Sequence, residues 1–446
     1  FQTYFIEPNN GDGVSKQEEE RPSKSQSHSH DESSYAKESK SSNADFRVRS
    51  KPRPSISSSS TKQRERRHIN RETRRVQLDD KEKHLVEWNL DLFKKMLQQI
   101  LAHRQACQAE GVKAGHNLAA VLLDGANIRS EVSSVIAFPP YNKEESRAKV
   151  QPNSIKLDEI VEKQLRDFIS FVASMHRDNS FHNFTRSSNV CVAVNKHIQR
   201  IVDDGLVEQL NEPLSKFAIL FAALTHGIGH PGVPNEQLVK EDSRIATLYQ
   251  NKSVSQQNAI DLAFSALMDT DYAELQSAIF TDESEVHRFR KIVVNCIIAT
   301  DLYDRELVVD RNKRWLYAFL EQGSPYSGED KQNLLATVVM EAVVQASHYG
   351  HALQYFLSYK LWNERYFREM YNAFKCQRLE EDPSADWHAK ELLFLDEIII
   401  PLARKLKESK VLGTAGDDAL TYALTNRKEW AAKGNGISAE FVERFK

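Results

Sequence analysis

The chain has 446 residues, 40% hydrophobic and 28% charged, with a formal net charge of −3. That length accommodates one large domain or two medium ones plus unstructured sequence. Residues 46–75 hold eleven Lys/Arg against two Glu, a local +9 that leaves about −12 for the remainder, which excludes a general nucleic-acid binder.

Cys107, Cys191, Cys296 and Cys376 lie far apart with no C-x-x-C pair. This gives neither a disulfide framework nor a zinc ribbon, so reduced thiols in the cytosol are expected. No apolar run approaches the roughly 20 residues that span a bilayer. The chain begins with Phe1 and reads as a fragment. A cytoplasmic location is expected, on the cytosolic side of a receptor if a missing upstream region anchors it.

In chain order, residues 3–7 (TYFIE) have the aromatic and β-branched content of a strand, with nothing after them to pair with. Residues 9–75 are rich in Ser, Lys, Arg and Glu, with SHSH, KESKSS and SISSSS tracts. Such a segment buries too little apolar surface to offset chain entropy and is expected to be a disordered linker. From Asp80, the residues Leu85, Trp88, Leu92, Met96 and Ile100 recur at three- and four-residue steps, predicting an amphipathic helix that packs on the next domain or on a second copy in a homodimer. Pro139-Pro140 then interrupts the chain. Helical patterns follow at 157–176, 214–224, 255–267, 285–300, 333–346 and 389–407, and strand alternation is nearly absent. The fold class is therefore all-α.

Three motifs carry the chemistry: FHNFTRSSNV at 181–190, FAALTHGIGHPGVPN at 221–235, and IIATDLYDRE at 297–306. A lone histidine is more often a hydrogen-bonded core residue than a ligand, but this ordered combination is far more specific. It resembles the catalytic domain of class I cyclic-nucleotide phosphodiesterases, which carry [YF]-H-N-x-x-H-A, then A-A-x-x-H-D-x-x-H-P-G-x-x-N, then A-T-D. Phe181-His182-Asn183, Ala222-Ala223 with His226, His230-Pro231-Gly232 with Asn235, and Ala299-Thr300-Asp301 retain those frames. The likeness continues through LWNERYF and ELLFLDEIIIPLA. It is most similar to the versions fused to nucleotide cyclases in algal and protist receptors. Residues 1–8 then resemble the end of a class III cyclase domain, so an upstream fused cyclase is an expected partner. The expected organisation is a cyclase stub at 1–8, linker at 9–75, helix and connector at 76–150, and a multi-helix phosphodiesterase-like domain at 151–435.

The resemblance implies a cyclic-nucleotide ligand and a divalent-metal cofactor, zinc plus magnesium or manganese. In such a site two cations neutralise the phosphate and activate water, and a histidine protonates the leaving ribose oxygen. His182 takes the proton-donor position and His226 one metal-ligand position. Phe181 stands near the phosphate, and Phe394 matches the aromatic purine clamp. The remaining positions depart from the family pattern. Arg186 replaces a ligand histidine, Gly227 the shared aspartate, His348 the later aspartate, Gln256 a water-orienting glutamate, and Glu391 the purine-gripping glutamine. A guanidinium only donates and repels cations, and glycine offers no oxygen. His226 and His348 alone make a poor metal site, while His230 and Asp301 read equally well as packing and hydrogen-bonding residues. The expectation is a degenerate copy, a pseudoenzyme whose Arg186 holds phosphate. The alternative is an active hydrolase converting cyclic AMP or cyclic GMP to the 5′-monophosphate.

Overall fold

The computed structural model describes residues 78–107, 128–319 and 323–446. The strand-like stub and the linker fall outside the described residues. Every regular element among those described is helical, which bears out the all-α expectation. None of these helices is long and apolar enough to cross a membrane.

Helix α1 (Asp80–Cys107) starts on a reciprocal capping box. Asp79 Oδ1 accepts the Glu82 N–H at 2.7 Å, and Glu82 Oε2 accepts the Asp79 N–H at 3.1 Å. The buried stripe is Val86, Leu90, Phe93, Leu97 and Ile100, whereas Trp88 is 44% exposed. Of the expected stripe, Met96 and Ile100 are buried, whereas Leu85 and Leu92 are half-buried and the inward face of the first turns passes through Val86, Leu90 and Phe93 instead. Buried Asn89 explains the phase, because its amide donates to Ser188 Oγ at 2.9 Å and turns that face inward. α1 packs on α2 (Glu159–Met175) and, beyond α3 (Phe184–Asp203), on α4 (Pro213–Thr225).

All of α4 is buried. Pro213 opens it, and the Glu212 carboxylate accepts the Leu214 and Ser215 N–H groups at 3.2 and 2.7 Å, so a negative charge meets the positive helix end. Beyond α5 (Val254–Leu267), α6 (Glu283–Ala299) packs along α4. Phe289 of α6 sits 5.2 Å from Phe221 and 5.1 Å from Phe280, between ring centroids. Each such buried ring contributes roughly 1.5–3 kcal/mol, so the helix that delivers His226 has a stiff base.

Helices α7 (Arg305–Phe319) and α8 (Gly328–His348) pair, and α8 also packs on α3. A second core joins α9 (Phe356–Lys375), α10 (Trp387–Phe394), α11 (Ile400–Glu408) and α12 (Thr414–Phe445) around Tyr359, Phe367, Trp387, Trp430 and Phe441. The sequence pattern predicts one helix over 389–407. That stretch is helical throughout, widened by a π turn at Leu395–Ile399 just before Pro401. Proline has no N–H to donate and crowds the preceding turn, and the widened turn absorbs that mismatch.

Candidate functional site

The site begins at the mouth of α3. Asn183 caps the helix by accepting the Arg186 N–H at 3.1 Å. This leaves Phe181 and His182 on the approach to the helix and places Arg186 in its first turn. Glu369 of α9 gathers three donors from this approach. Its Oε2 accepts the Phe181 and His182 backbone N–H groups at 2.7 and 2.9 Å, and its Oε1 accepts His182 Nδ1–H at 2.6 Å. Burial pushes the Glu369 carboxyl up, but His182 and the two amides outweigh that and leave it below its ordinary value. With Nδ1 committed to Glu369, Nε2 of His182 is the nitrogen free to exchange a proton with a ligand.

The His182 ring lies on His230, with centroids 3.7 Å apart and planes 20° apart. Asn179 fixes this stack by donating to the His182 and His230 carbonyls at 3.1 and 2.9 Å. His230 Nδ1 accepts the Gly232 N–H at 3.2 Å. Burial, reinforced by His182, His226 and two arginines, holds His230 well below its ordinary value, so it is neutral.

Next to the stack lies the metal-like pair. His226 Nδ1 donates to the Ala223 carbonyl at 2.8 Å, which leaves its Nε2 as an acceptor. His348 Nδ1, 3.2 Å away, donates to it. Burial brings His226 down to about 3 and holds His348 well below its usual range, with Arg186 adding to both. Arg186 itself is 4% exposed. Its guanidinium carbon sits 3.9 Å from the Phe181 ring centroid, and its Nη2 donates to the His348 carbonyl at 2.7 Å. Burial lowers Arg186 to about 10, so it stays charged at neutral pH.

The residues present do not fit a two-metal centre. His226 and His348 satisfy one another beside a permanent cation. His182, His230 and Glu369 offer three ligand atoms within 4.8 Å of one another. Within that group the Glu369 carboxylate already accepts His182 Nδ1–H and two backbone amides, and His230 Nδ1 accepts the Gly232 N–H, so only one nitrogen on each stacked ring is left for an ion. Gly227 has more than a missing carboxylate. A Cβ there would meet Ser187 Oγ at 2.9 Å, and that hydroxyl donates to His176 Nε2 at 3.0 Å. Gln256 and Asp301 belong to a neighbouring network: Asn235 Nδ2 donates to Gln256 Oε1 at 2.9 Å and to Asp301 Oδ2 at 3.2 Å.

Glu391 and Phe394 approach from α10. Glu391 Oε1 accepts the Tyr359 hydroxyl at 2.7 Å. Burial raises its carboxyl to about 7 against the opposing hydrogen bonds of Tyr359 and Asn363. The Phe394 ring lies 5.8 Å from that of Tyr349, the residue next to His348. The structure therefore gathers Phe181, His182, Arg186, His226, His230 and His348 tightly, with Glu391 and Phe394 linked through tyrosines. Glu369, Asn179, Tyr359 and Asn363 were not legible as site residues, since none stands in the three motifs. A surface cavity of about 440 Å³ lined by Lys94, Gln98 and Glu162 shares no residue with this cluster.

The profile of a family described as 3′5′-cyclic nucleotide phosphodiesterase matches residues 181–409. A probable 3′,5′-cyclic-AMP phosphodiesterase of Caenorhabditis elegans is 24% identical over 260 residues, 56% of this chain and 37% of that protein. A cGMP-specific 3′,5′-cGMP phosphodiesterase of Dictyostelium discoideum is 23% identical over 280 residues, 61% of this chain and 56% of that one. The chain thus spans well under two thirds of either relative. Among solved structures, the phosphodiesterase domain of a RhoPDE fusion protein from the choanoflagellate Salpingoeca rosetta superposes with a TM-score of 0.52 at 19% identity, covering 74% of this chain and 94% of that domain. That likeness is one of fold.

Proposed function

This chain belongs to the 3′5′-cyclic nucleotide phosphodiesterase family, and from that premise we propose that it is a cyclic-nucleotide-binding module whose metal-dependent hydrolysis is weak or absent. The observation that carries this reading is Arg186, a buried guanidinium at a family metal-ligand position, with an Nε that finds no acceptor among the described residues. A buried charge is costly without a partner. A phosphate is the partner that a planar five-donor fork suits. Phe181 beneath the guanidinium fixes its plane, and Phe394 supplies an apolar face for a base.

In this role the chain senses a nucleotide and reports it to whatever is joined to it, an upstream cyclase being the partner that the family likeness suggests. The second reading, an active hydrolase, is favoured by one feature: the His182–Glu369 pair, which a pure binding module does not need. In that case His182 Nε2 gives a proton to the leaving oxygen while Glu369 holds the other ring nitrogen.

The test uses the full chain with cyclic AMP and cyclic GMP. Calorimetry in chelator measures binding, and product formation with added magnesium, manganese or zinc measures turnover. Binding without metal-dependent turnover is expected. Turnover that disappears in His182→Ala decides for the hydrolase, and neither binding in chelator nor turnover with added metal rejects both readings.

A further inference from the structure

Two buried ionisable groups of opposite kind in this site, Arg186 and Glu391, make no ion pair among the described residues, although the Glu369 carboxylate acts electrostatically on Arg186. Among the described residues no carboxylate pairs with Arg186, and no lysine, arginine or histidine pairs with Glu391, which is 7% exposed. Glu391 is held in place by neutral donors only. Tyr359 donates to its Oε1, and Asn363 donates to the carboxyl as well. The Asn363 carbonyl is itself occupied by Trp387 Nε1–H at 3.0 Å, which turns the amide N–H₂ toward Glu391. Tyr366 interacts electrostatically with both groups. Its ring lies 5.0 Å from Phe181 and 5.5 Å from Trp387, and its hydroxyl lies within the field of Glu391 and acts on Arg186.

We infer that this polarity selects the base: Arg186 takes the phosphate, and Glu391 accepts the paired N–H groups of guanine, so the site prefers cyclic GMP to cyclic AMP. The inference rests on the nucleotide-binding reading above and names its ligand. A carboxylate only accepts, and it has about four lone-pair positions. Tyr359 and Asn363 occupy part of them, leaving the rest for a ligand. Guanine presents N1–H and the 2-amino group side by side, two donors to one carboxylate. Adenine presents the N1 lone pair beside its 6-amino group, so one of its two contacts is repulsive. A site built to satisfy a hydrogen-bonding edge rejects the edge that leaves buried polar groups unpaired. Burial keeps the free Glu391 carboxyl near 7, and donors from guanine favour its ionised form. The names of the two relatives above divide between cyclic AMP and cyclic GMP, so the base is chosen here by the residues of this chain alone.

The test is calorimetry on the full chain in chelator at about pH 8, where Glu391 is ionised. The ligands are cyclic GMP, cyclic IMP (which keeps N1–H but lacks the amino group) and cyclic AMP. Affinity is expected to fall in that order, with at least about tenfold between the ends. In Glu391→Gln, whose amide offers one acceptor and one donor, the gap should narrow to within about threefold. Cyclic AMP binding as tightly as cyclic GMP overturns the guanine assignment while leaving nucleotide binding intact. So does a Glu391→Gln protein that keeps the full preference. No binding of any of the three removes the nucleotide-binding reading and this inference with it. If Glu391→Gln fails to fold, the ligand series on the unaltered chain decides alone.

Discussion

His182 and Glu369 meet through two hydrogen bonds although 187 positions separate them in the chain, one from the imidazole and one from the His182 amide, and the amide of Phe181 adds a third to the same carboxylate. The carboxylate thus clasps the backbone as well as the ring. Glu369→Ala leaves three donors unpaired in a buried place. It should cost about 3–5 kcal/mol in a urea titration, the usual range for breaking a buried charged pair. A loss under about 1 kcal/mol would mean that water replaces the carboxylate freely.

The same carboxylate sets an acid limit. Its folded value lies below the ordinary 4.5, so the native state binds this proton less readily than the unfolded chain. Its stabilisation is fully present above the unfolded value and is lost as pH falls through the folded one. Denaturation midpoints should therefore drop below about pH 4.5, and Glu369→Gln should flatten that drop.

Glu391 acts with the opposite sign. Its folded value is raised to about 7, so the native state holds this proton longer than the unfolded chain. Stability should fall as pH rises from the unfolded value to about 7, and then level off. Glu391→Gln should remove that slope. An unchanged slope in the variant would assign the effect to another group.

Arg186→Met separates binding from stability. It removes a buried unpaired charge, but it also removes the contact with Phe181 and the bond to the His348 carbonyl. These terms oppose one another, so the unfolding free energy should change by less than about 1 kcal/mol. Cyclic-nucleotide affinity should nevertheless fall by about tenfold or more. Affinity that survives the change would remove Arg186 from the phosphate role.

Restoring the family aspartate at position 227 should be harmful at first. Its Cβ meets Ser187 Oγ at 2.9 Å, so Gly227→Asp must break the bond from Ser187 to His176. A cost of about 1–3 kcal/mol is expected in a thermal melt, relieved in part by Ser187→Gly. Millimolar magnesium or manganese should leave the melting temperature of the unaltered chain within about 1 °C, since a tightly bound ion would raise it.

Much of this site could be read from contiguous motifs. His182, Arg186, His226 and His230 each stand in short patterns whose spacing defines them, and the missing carboxylate at Gly227 and missing imidazole at Arg186 were visible as letters. Glu369 was not, because its role depends on a helix arriving from the far end of the chain. The sequence marks Gly227 as an absence, but only packing reveals that Ser187 and His176 fill the space. α1 carries two apolar stripes at helical spacing, and buried Asn89 decides which one faces inward. The charge state of Glu391 was similarly hidden, since burial and two neutral donors set it.

The π turn at Leu395–Ile399 bears on how this site can change. A π turn holds one residue more than the α turn it replaces. Deleting one residue there would restore an ordinary α turn and leave the upstream segment near its present angle, whereas the same deletion in a regular α stretch would swing it by about 100° about its axis. Glu391 and Phe394 lie immediately upstream, whereas α11 and α12 are pinned below by Ala403, Trp430 and Phe441. The wide turn thus works as a slack link that takes up one residue of length while α10 keeps the angle at which it presents its side chains. Loss of a single residue in this short stretch would therefore leave those side chains aimed as they are, which the same loss elsewhere in the helix would not.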